Sequence, residues 1–529
     1  MKFLPLLVLL ASSFQDGESL NFLAYNPMFG RSHTTFVGRL ADVLVEAGHN
    51  VTVIGPVVDS SLGSYGCKKA KIIVIPQAEE IARYEKELFV PLMEGIWKSK
   101  GMGDFLKTFS LIGEVFIVQC RATLSHPGLL ETLRSQNWDA AFGEGTDMCG
   151  ISLFHALGID KVAITSSVSS TEGFGFATGL PSFPSYVPGF GPTTGEKMSF
   201  QQRIKNTIGL LVGRMLFPSK FESLTPMMRE KFGPDFPSGL ELLQAPSLMF
   251  INNEPLIDFP KPTIHKIIDI GGISVSGGHS PLNKTWSDIF NLRKQTVLLS
   301  FGTVARSYIM PESYKKTIRD TFAKFPDVTF IWKYEKPEHR ISEGIKNIIE
   351  STFVPQNDML YDPRLSLFIT HCGQGSTTES TTAGVPLIVI PVMGDQMRNA
   401  QIIRRIGSGL ALQKEQLDGG DALEKALREV LGNPRYKERA AYIGRTIRDR
   451  PFSPRETFVR NMEFVAKHGP LRQLDHYGLQ LNFFQFYLID VFAFLGAIVI
   501  GMFAIIFITL RFAVRKCFFT KTETKKKGE

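Results

Sequence analysis

Apolar and polar positions along this chain form two runs in which short strand-like stretches alternate with amphipathic helical ones. In the first run, Leu20–Tyr25 reads as a strand, Asn26–Ser32 as a loop, His33–Ala47 as an amphipathic helix stopped at Gly48, and Val51–Ile54 as the next strand. A further strand, Trp138–Phe142, ends in Gly143-Glu144-Gly145 and is followed by a helix from Cys149 to Leu157 and a strand at Lys161–Thr165. The second run starts at Thr296–Phe301. It continues through Val328–Trp332, Ile348–Phe353, Leu367–Thr370 and Leu387–Pro391, with helices between, and ends in helices reaching Lys467. Such alternation predicts open parallel sheets covered by helices. Between the runs, Ile251–Gly278 carries Pro255, Pro260, Pro262 and several glycines, the composition of a domain boundary. The expected class is therefore α/β: two Rossmann-like domains with a cleft between them, at residues 19–255 and 281–467, joined by 256–280. The stretch from Glu172 to Gly191 is rich in Gly, Pro, Ser and Phe and reads as a long irregular loop, of a length that favours a binding role.

The two ends of the chain depart from this pattern. Phe3–Ala11 follows Lys2 and precedes small residues; it is too short to span a bilayer and has the layout of a secretory signal peptide, placed at residues 1–18. Val491–Leu510 is uncharged throughout and long enough to cross a membrane as a helix, after a membrane-proximal helical segment at 468–490. Arg511, Arg515, Lys516, Lys521 and Lys525–Lys527 follow, so the tail 511–529 is expected on the cytosolic side and everything before the helix in the lumen. The closing Lys526-Lys527-Gly528-Glu529 has the form of a dilysine signal for retrieval to the endoplasmic reticulum; a basic anchor beside anionic headgroups is the other reading.

Composition narrows the class only a little. The chain has 529 residues, 43% hydrophobic and 21% charged, as a globular protein of two sizeable domains should. Its formal charge of +8 invites a nucleic-acid partner, but the basic residues are scattered or terminal and no basic stripe with interleaved aromatics occurs, so none is expected. Cys67, Cys120, Cys149 and Cys372 would be lumenal, able to form one or two disulfides but too few to frame the fold. Glycosylation sequons start at Asn50, expected to be buried at a strand start, and at Asn283, in a polar stretch that suits it better.

The chemistry concentrates in residues 351–401. An apolar strand runs into His371, then a glycine-bearing loop, then a helix carrying Glu379; a second strand opens onto Gly394-Asp395-Gln396. Polar groups at the carboxyl ends of parallel strands line a ligand crevice. A glycine-bearing turn at a helix N-terminus also presents backbone N–H groups suited to phosphate. From Phe353 to Gln396 the spacing closely resembles the donor-binding signature of UDP-glycosyltransferases, the superfamily that includes the animal UDP-glucuronosyltransferases. A weaker similarity extends over nearly the whole chain.

The resemblance implies a GT-B fold, with the acceptor in the first domain and the nucleotide sugar in the second. It implies that Phe353 stacks the uracil and that Gln356 bonds the base or ribose. Glu379 would accept from the ribose hydroxyls. His371, Gly373, Gly375, Ser376 and Thr377 would face the diphosphate, joined by Thr303 from the first βα loop of the second half, and Asp395 and Gln396 would hold the sugar. Gly375 stands where many relatives carry Asn or His, so its contact would come from the backbone. His33, in Arg31-Ser32-His33, falls on the catalytic base. Its partner carboxylate, an Asp in the family pattern, falls on Glu144, with Asp147 competing; His49 reads as structural.

The expected reaction is inverting transfer of a glycosyl group, glucuronic acid foremost, from a UDP-sugar to small lipophilic hydroxyl compounds. The UDP-sugar is a co-substrate, and no resident cofactor or metal is expected. Other UDP-hexoses, the acceptor's identity and association with itself or a relative stay open. A dehydrogenase is disfavoured because the first loop, Asn26–Ser32, lacks GxGxxG. A non-catalytic UDP-sugar binder is the remaining rival, raised by Glu144 and Gly375.

Overall fold

A computed structural model describes residues 18–84, 95–98, 102–169, 175, 178–189, 194–275 and 278–525. The Phe3–Ala11 leader, parts of the Glu172–Gly191 loop and the closing Lys526-Lys527-Gly528-Glu529 lie outside them.

In the first half, β1 (Asn21–Tyr25), α1 (Arg31–Glu46), β2 (Asn50–Pro56), β3 (Lys71–Ile75), α2 (Met102–Leu124), β4 (Ala140–Glu144), α3 (Met148–Ala156), β5 (Val162–Ser166), α4 (Phe200–Glu222), β6 (Leu248–Ile251) and β7 (Ile267–Asp269) succeed one another. The strands form one sheet in the order β3-β2-β1-β4-β5-β6-β7, every pairing parallel. The central strands β1, β4, β5 and β6 are covered on both faces, which is why the first three read as apolar runs. On one face the stripe Phe36, Val37, Leu40 and Leu44 of α1 buries against Phe22, Ala24 and Val53.

In the second half, β8 (Gln295–Ser300), β9 (Val328–Lys333), β10 (Ile348–Ser351), α5 (Gln356–Tyr361), β11 (Leu365–Thr370), α6 (Gln374–Ala383), β12 (Leu387–Val389), α7 (Gln396–Ile406) and β13 (Gly409–Ala411) build a second parallel sheet, ordered β10-β9-β8-β11-β12-β13. In both sheets the strand order reverses beside the first strand of the half, between β1 and β4 and between β8 and β11. Loops at the carboxyl ends of those strands diverge and leave a crevice. His33 and Glu144 lie at the first such point, Thr303 and His371 at the second.

One boundary differs from the sequence reading. Helix α8 (Pro454–His468), assigned by pattern to the second half, lies on the first sheet: Phe458, Met462 and Val465 are fully buried, with Phe458 edge-on to Phe142 and Phe250 at 5.9 and 4.9 Å. Its apolar stripe fills a face of the first sheet that local sequence does not cover. Arg455 pairs with Glu46, and His49, 8% exposed, bonds Glu463 at 3.1 Å, a structural role.

Cys120 of α2 and Cys149 of α3 form a disulfide, while Cys67 and Cys372 are free. Asn50, expected to be buried, is exposed at the start of β2 and bonds Asn21, because only the following residues enter the sheet interior. Asn283 is exposed and caps a short helix by accepting from the Trp286 amide.

Residues Asp475–Glu529 form a separate unit. It carries α9 (Ile489–Lys525), within which the most apolar 18-residue stretch of Ile489–Lys516 has a mean hydropathy of 2.9 and is not buried. Among the described residues it is the one helix long and apolar enough to cross a membrane.

Candidate active site

The sequence pattern ends the strand that begins at Trp138 at Phe142, whereas β4 runs on to Glu144. Its register, Glu144 against Thr165 of β5, sets the Glu144 carboxyl at the strand's edge. Glu144 is 2% exposed, and its Oε1 gathers three donors: His33 Nδ1 at 3.2 Å, Ser167 Oγ at 3.0 Å and the Ser167 amide at 3.1 Å. Ser167 Oγ also lies 2.7 Å from His33 Nδ1. With Nδ1 facing acceptors, the imidazole proton belongs on Nδ1 and Nε2 is free to act as a base. Burial pulls the His33 pKa down, but the hydrogen bond and charge of Glu144, with the charge of Asp395, more than offset it, and the pKa is raised from 6.5. Asp147, the competing partner, is engaged elsewhere. It caps α3 by accepting from the Cys149 amide at 2.9 Å, and burial pushes its pKa up to about 7.

Across the crevice, His371 follows β11 in a slot between two glycines. A Cβ on Gly302 would come within 2.7 Å of the ring and one on Gly373 within 2.6 Å, so neither position tolerates a side chain without moving the imidazole. Burial, reinforced by the nearby Lys333 charge, pushes the His371 pKa down to about 4. Cys372 then takes a left-handed φ of 64°, a strained conformation that its surroundings hold: its carbonyl accepts from Asn399 at 3.1 Å and Thr377 at 3.2 Å. Helix α6 has no side-chain cap, so the amides of Gln374, Gly375 and Ser376 lack intrahelical acceptors and suit an anion. Thr377 differs: its amide bonds the Gly373 carbonyl and its hydroxyl bonds the Cys372 and Gly373 carbonyls, so it shapes the loop from within. The virtual Cβ of Gly375 meets nothing within 4 Å, and its backbone stands open.

The remaining predicted groups gather around α5 and α6. Gln356 Nε2 donates to Glu379 Oε2 at 2.6 Å and Ser376 Oγ at 3.2 Å, and burial raises the Glu379 pKa. Phe353 is 69% exposed, beside α5, an apolar ring without protein cover. Thr303 sits next to Gly302 in the loop after β8. At the N-terminus of α7, burial raises the Asp395 pKa against an Asn399 bond of 3.0 Å, and its charge is felt at His33. Gln396 Oε1 accepts from the Val392 and Met393 amides at 2.8 and 3.0 Å. All thirteen residues read from the sequence thus lie at the carboxyl edges of the two sheets or in the helices that start there.

Three residues were missed. Ser167 directly follows β5, and the rule placing ligand groups at strand carboxyl ends points to it. Lys333 ends β9, donates to the Gly302 carbonyl and feels the charges of Arg31 and Arg306. Arg398, 2% exposed on α7, pairs with Asp258 at 2.7 Å and reaches Ser169 and Pro188 of the first half; nothing local in the sequence signals a partner so distant.

Comparison with known proteins identifies the family and the fold. A family model described as UDP-glucoronosyl and UDP-glucosyl transferase matches residues 27–526. The chain is 29% identical to ugt-47 of Caenorhabditis elegans over 92% of its own length and 91% of that protein's. It is also 29% identical to UDP-glucuronosyltransferase 1A8 of Rattus norvegicus over 99% and 97%. In solved structures, a UDP-glucosyltransferase from Polygonum tinctorium that glucosylates indoxyl superposes with a TM-score of 0.59 at 14% identity, covering 86% of this chain and all of that one. A glycosyltransferase of kitacinnamycin superposes with a TM-score of 0.57 at 16% identity over 85% and 99%. The shared architecture is the GT-B glycosyltransferase fold.

Proposed function

The chain belongs to the UDP-glucuronosyl and UDP-glucosyl transferase family and is a UDP-glycosyltransferase, and from that premise we propose that it transfers glucuronic acid from UDP-glucuronate to hydroxyls of small lipophilic acceptors with inversion. The observation that carries this reading is the confrontation across the crevice: His33, backed by Glu144, stands within electrostatic reach of Asp395 at the sugar end. His33 Nε2 takes the proton of the acceptor hydroxyl as its oxygen forms a bond to the anomeric carbon. The bond from that carbon to the diphosphate breaks, and UDP leaves with the electron pair. The first-turn amides of α6, with His371 and Lys333, stabilise the charge that develops on the leaving oxygens. Phe353 and the Gln356–Glu379 pair hold uracil and ribose.

Support for a uronate donor comes from the relatives' names; Lys333 lies near the charges of Arg31 and Arg306, but Glu335 pairs with it at 3.7 Å and offsets part of that charge. UDP-glucose is the second reading. Gln396 Oε1 is engaged with backbone amides, so this side chain offers only N–H donors, which suit a C6 hydroxyl as well as a carboxylate. The apolar helix and basic tail support a single-pass protein of the endoplasmic reticulum with its catalytic halves lumenal, glycosylated at Asn283.

Microsomes containing the full chain, given a panel of UDP-sugars and one simple phenol, are expected to release UDP and the β-glycoside together, fastest with UDP-glucuronate. His33→Ala should lose about 10²–10⁴-fold in turnover while UDP still binds. UDP binding without turnover on any donor would leave the non-catalytic reading standing.

A further inference from the structure

His33 and Glu144 are 3.2 Å apart, longer than the roughly 2.7–2.9 Å of a charge-assisted N–H···O bond. The nearer atom to Nδ1 is Ser167 Oγ, at 2.7 Å. Ser167 is 4% exposed and held on several sides: its amide bonds Glu144 at 3.1 Å, and its carbonyl accepts from Asn252 Nδ2 at 3.0 Å. Asn252 is fixed in turn by its own amide on the Ser166 carbonyl at 2.8 Å. Glu144 Oε2 is buried and has no hydrogen-bond partner among the described residues, so the carboxylate acts through Oε1 alone.

We propose that Ser167 is a positioning residue that completes a three-member relay, His33 Nδ1–H to Ser167 Oγ–H to Glu144 Oε1, and thereby adapts a glutamate to the task of orienting the base. This rests on His33 being the base. The side chain of Glu carries one methylene more than that of Asp. The serine hydroxyl accepts the short hydrogen bond from the ring and donates its own hydrogen bond to the carboxylate. When Nε2 gains the acceptor's proton, the Nδ1 proton stays where it is. The imidazolium charge is met through Ser167 by Glu144, and no further proton moves.

The test is a double-mutant cycle on the full-length enzyme, with Ser167→Ala, Glu144→Gln and the pair, read by kcat, by KM for the UDP-sugar and by the His33 titration midpoint in NMR. Ser167→Ala is expected to lower kcat about ten- to a hundredfold, the scale of one hydrogen bond to a charged group, with the donor KM unchanged and the His33 midpoint lowered. Ser167→Thr, which keeps the hydroxyl, should recover kcat to within about threefold, and in the Glu144→Gln background Ser167→Ala should cost less than about threefold, because the relay is already broken. Additive losses in the two backgrounds, or an unchanged midpoint, would overturn the relay. If Ser167→Ala does not fold, Ser167→Cys takes its place under the same criteria. If the wild type turns over no donor, the transferase reading fails, while the His33 midpoint in the serine variants still decides the relay.

Discussion

Binding of a UDP-sugar should pull a proton onto His371, because the empty site holds that ring neutral at a cost the diphosphate removes. In the unoccupied crevice its pKa is pushed from 6.5 down to about 4 by burial and by Lys333. That gap is worth about 3 kcal/mol against the charged ring at 1.36 kcal/mol per unit. A diphosphate set against the first-turn amides of α6 brings two negative charges to the imidazole and reverses the balance. If it merely restores the ordinary value, binding at pH 5.5 takes up about 0.9 proton and affinity rises about twentyfold between pH 7 and pH 5. UDP-glucose is the suitable probe, since its diphosphate is fully ionised across this range. Calorimetry at pH 5.5 in two buffers of different ionisation enthalpy counts the protons directly. His33, Glu379 and Asp395 titrate nearby, so the quantity to read is the difference between wild type and His371→Gln. Equal uptake by the two proteins would refute the reasoning. The empty protein should show the counterpart in stability. With a depressed folded-state pKa, the neutral ring's contribution is fully present above pH 6.5 and is lost as pH falls through 4.

Three further outcomes can be checked separately. Because the His33 pKa is raised, kcat/KM should fall on the acid side with a midpoint above 6.5, and Glu144→Gln should move that limb to lower pH, since burial is then opposed only by the charge of Asp395. Phe353→Ala should weaken UDP by about 1–3 kcal/mol, the scale of base–aromatic stacking, and Phe353→Trp should tighten it, both read by fluorescence titration. Arg398→Met leaves Asp258 buried with Lys261 alone at 2.8 Å; it should destabilise the two-half unit by up to about 3–5 kcal/mol in urea melts, with Asp258→Asn on the same background recovering part of the loss.

The sheets were legible because strands covered on both faces leave continuous apolar runs. Every strand read from the pattern is present, within two residues or so at its ends. β3, β6, β7 and β13 escaped notice. β6 is buried throughout but only four residues long, β7 and β13 have three, and β3 lies at the sheet edge with only Ile75 fully buried, so none leaves a strong pattern. The residues proposed to hold the donor were legible for a different reason: they sit close together in sequence, and their joint spacing carries information that none has singly. Ser167, Lys333 and Arg398 act through partners 23 to 229 positions away, and no local pattern encodes such pairs. Asp147 against Glu144 was settled only by register, because two more residues of β4 bring Glu144 to the strand's edge.

The return of α8 to the first sheet bears on how such proteins can be cut and recombined. A chimaera made with a single crossover in the 256–280 linker would join one parent's first half to another parent's α8. It would seat a foreign Phe458 equivalent against Phe142 and Phe250 and foreign partners against Glu46 and His49. Second-half grafts between relatives call for two junctions, the second near Ser453, so that the closing helix travels with the first half it seals.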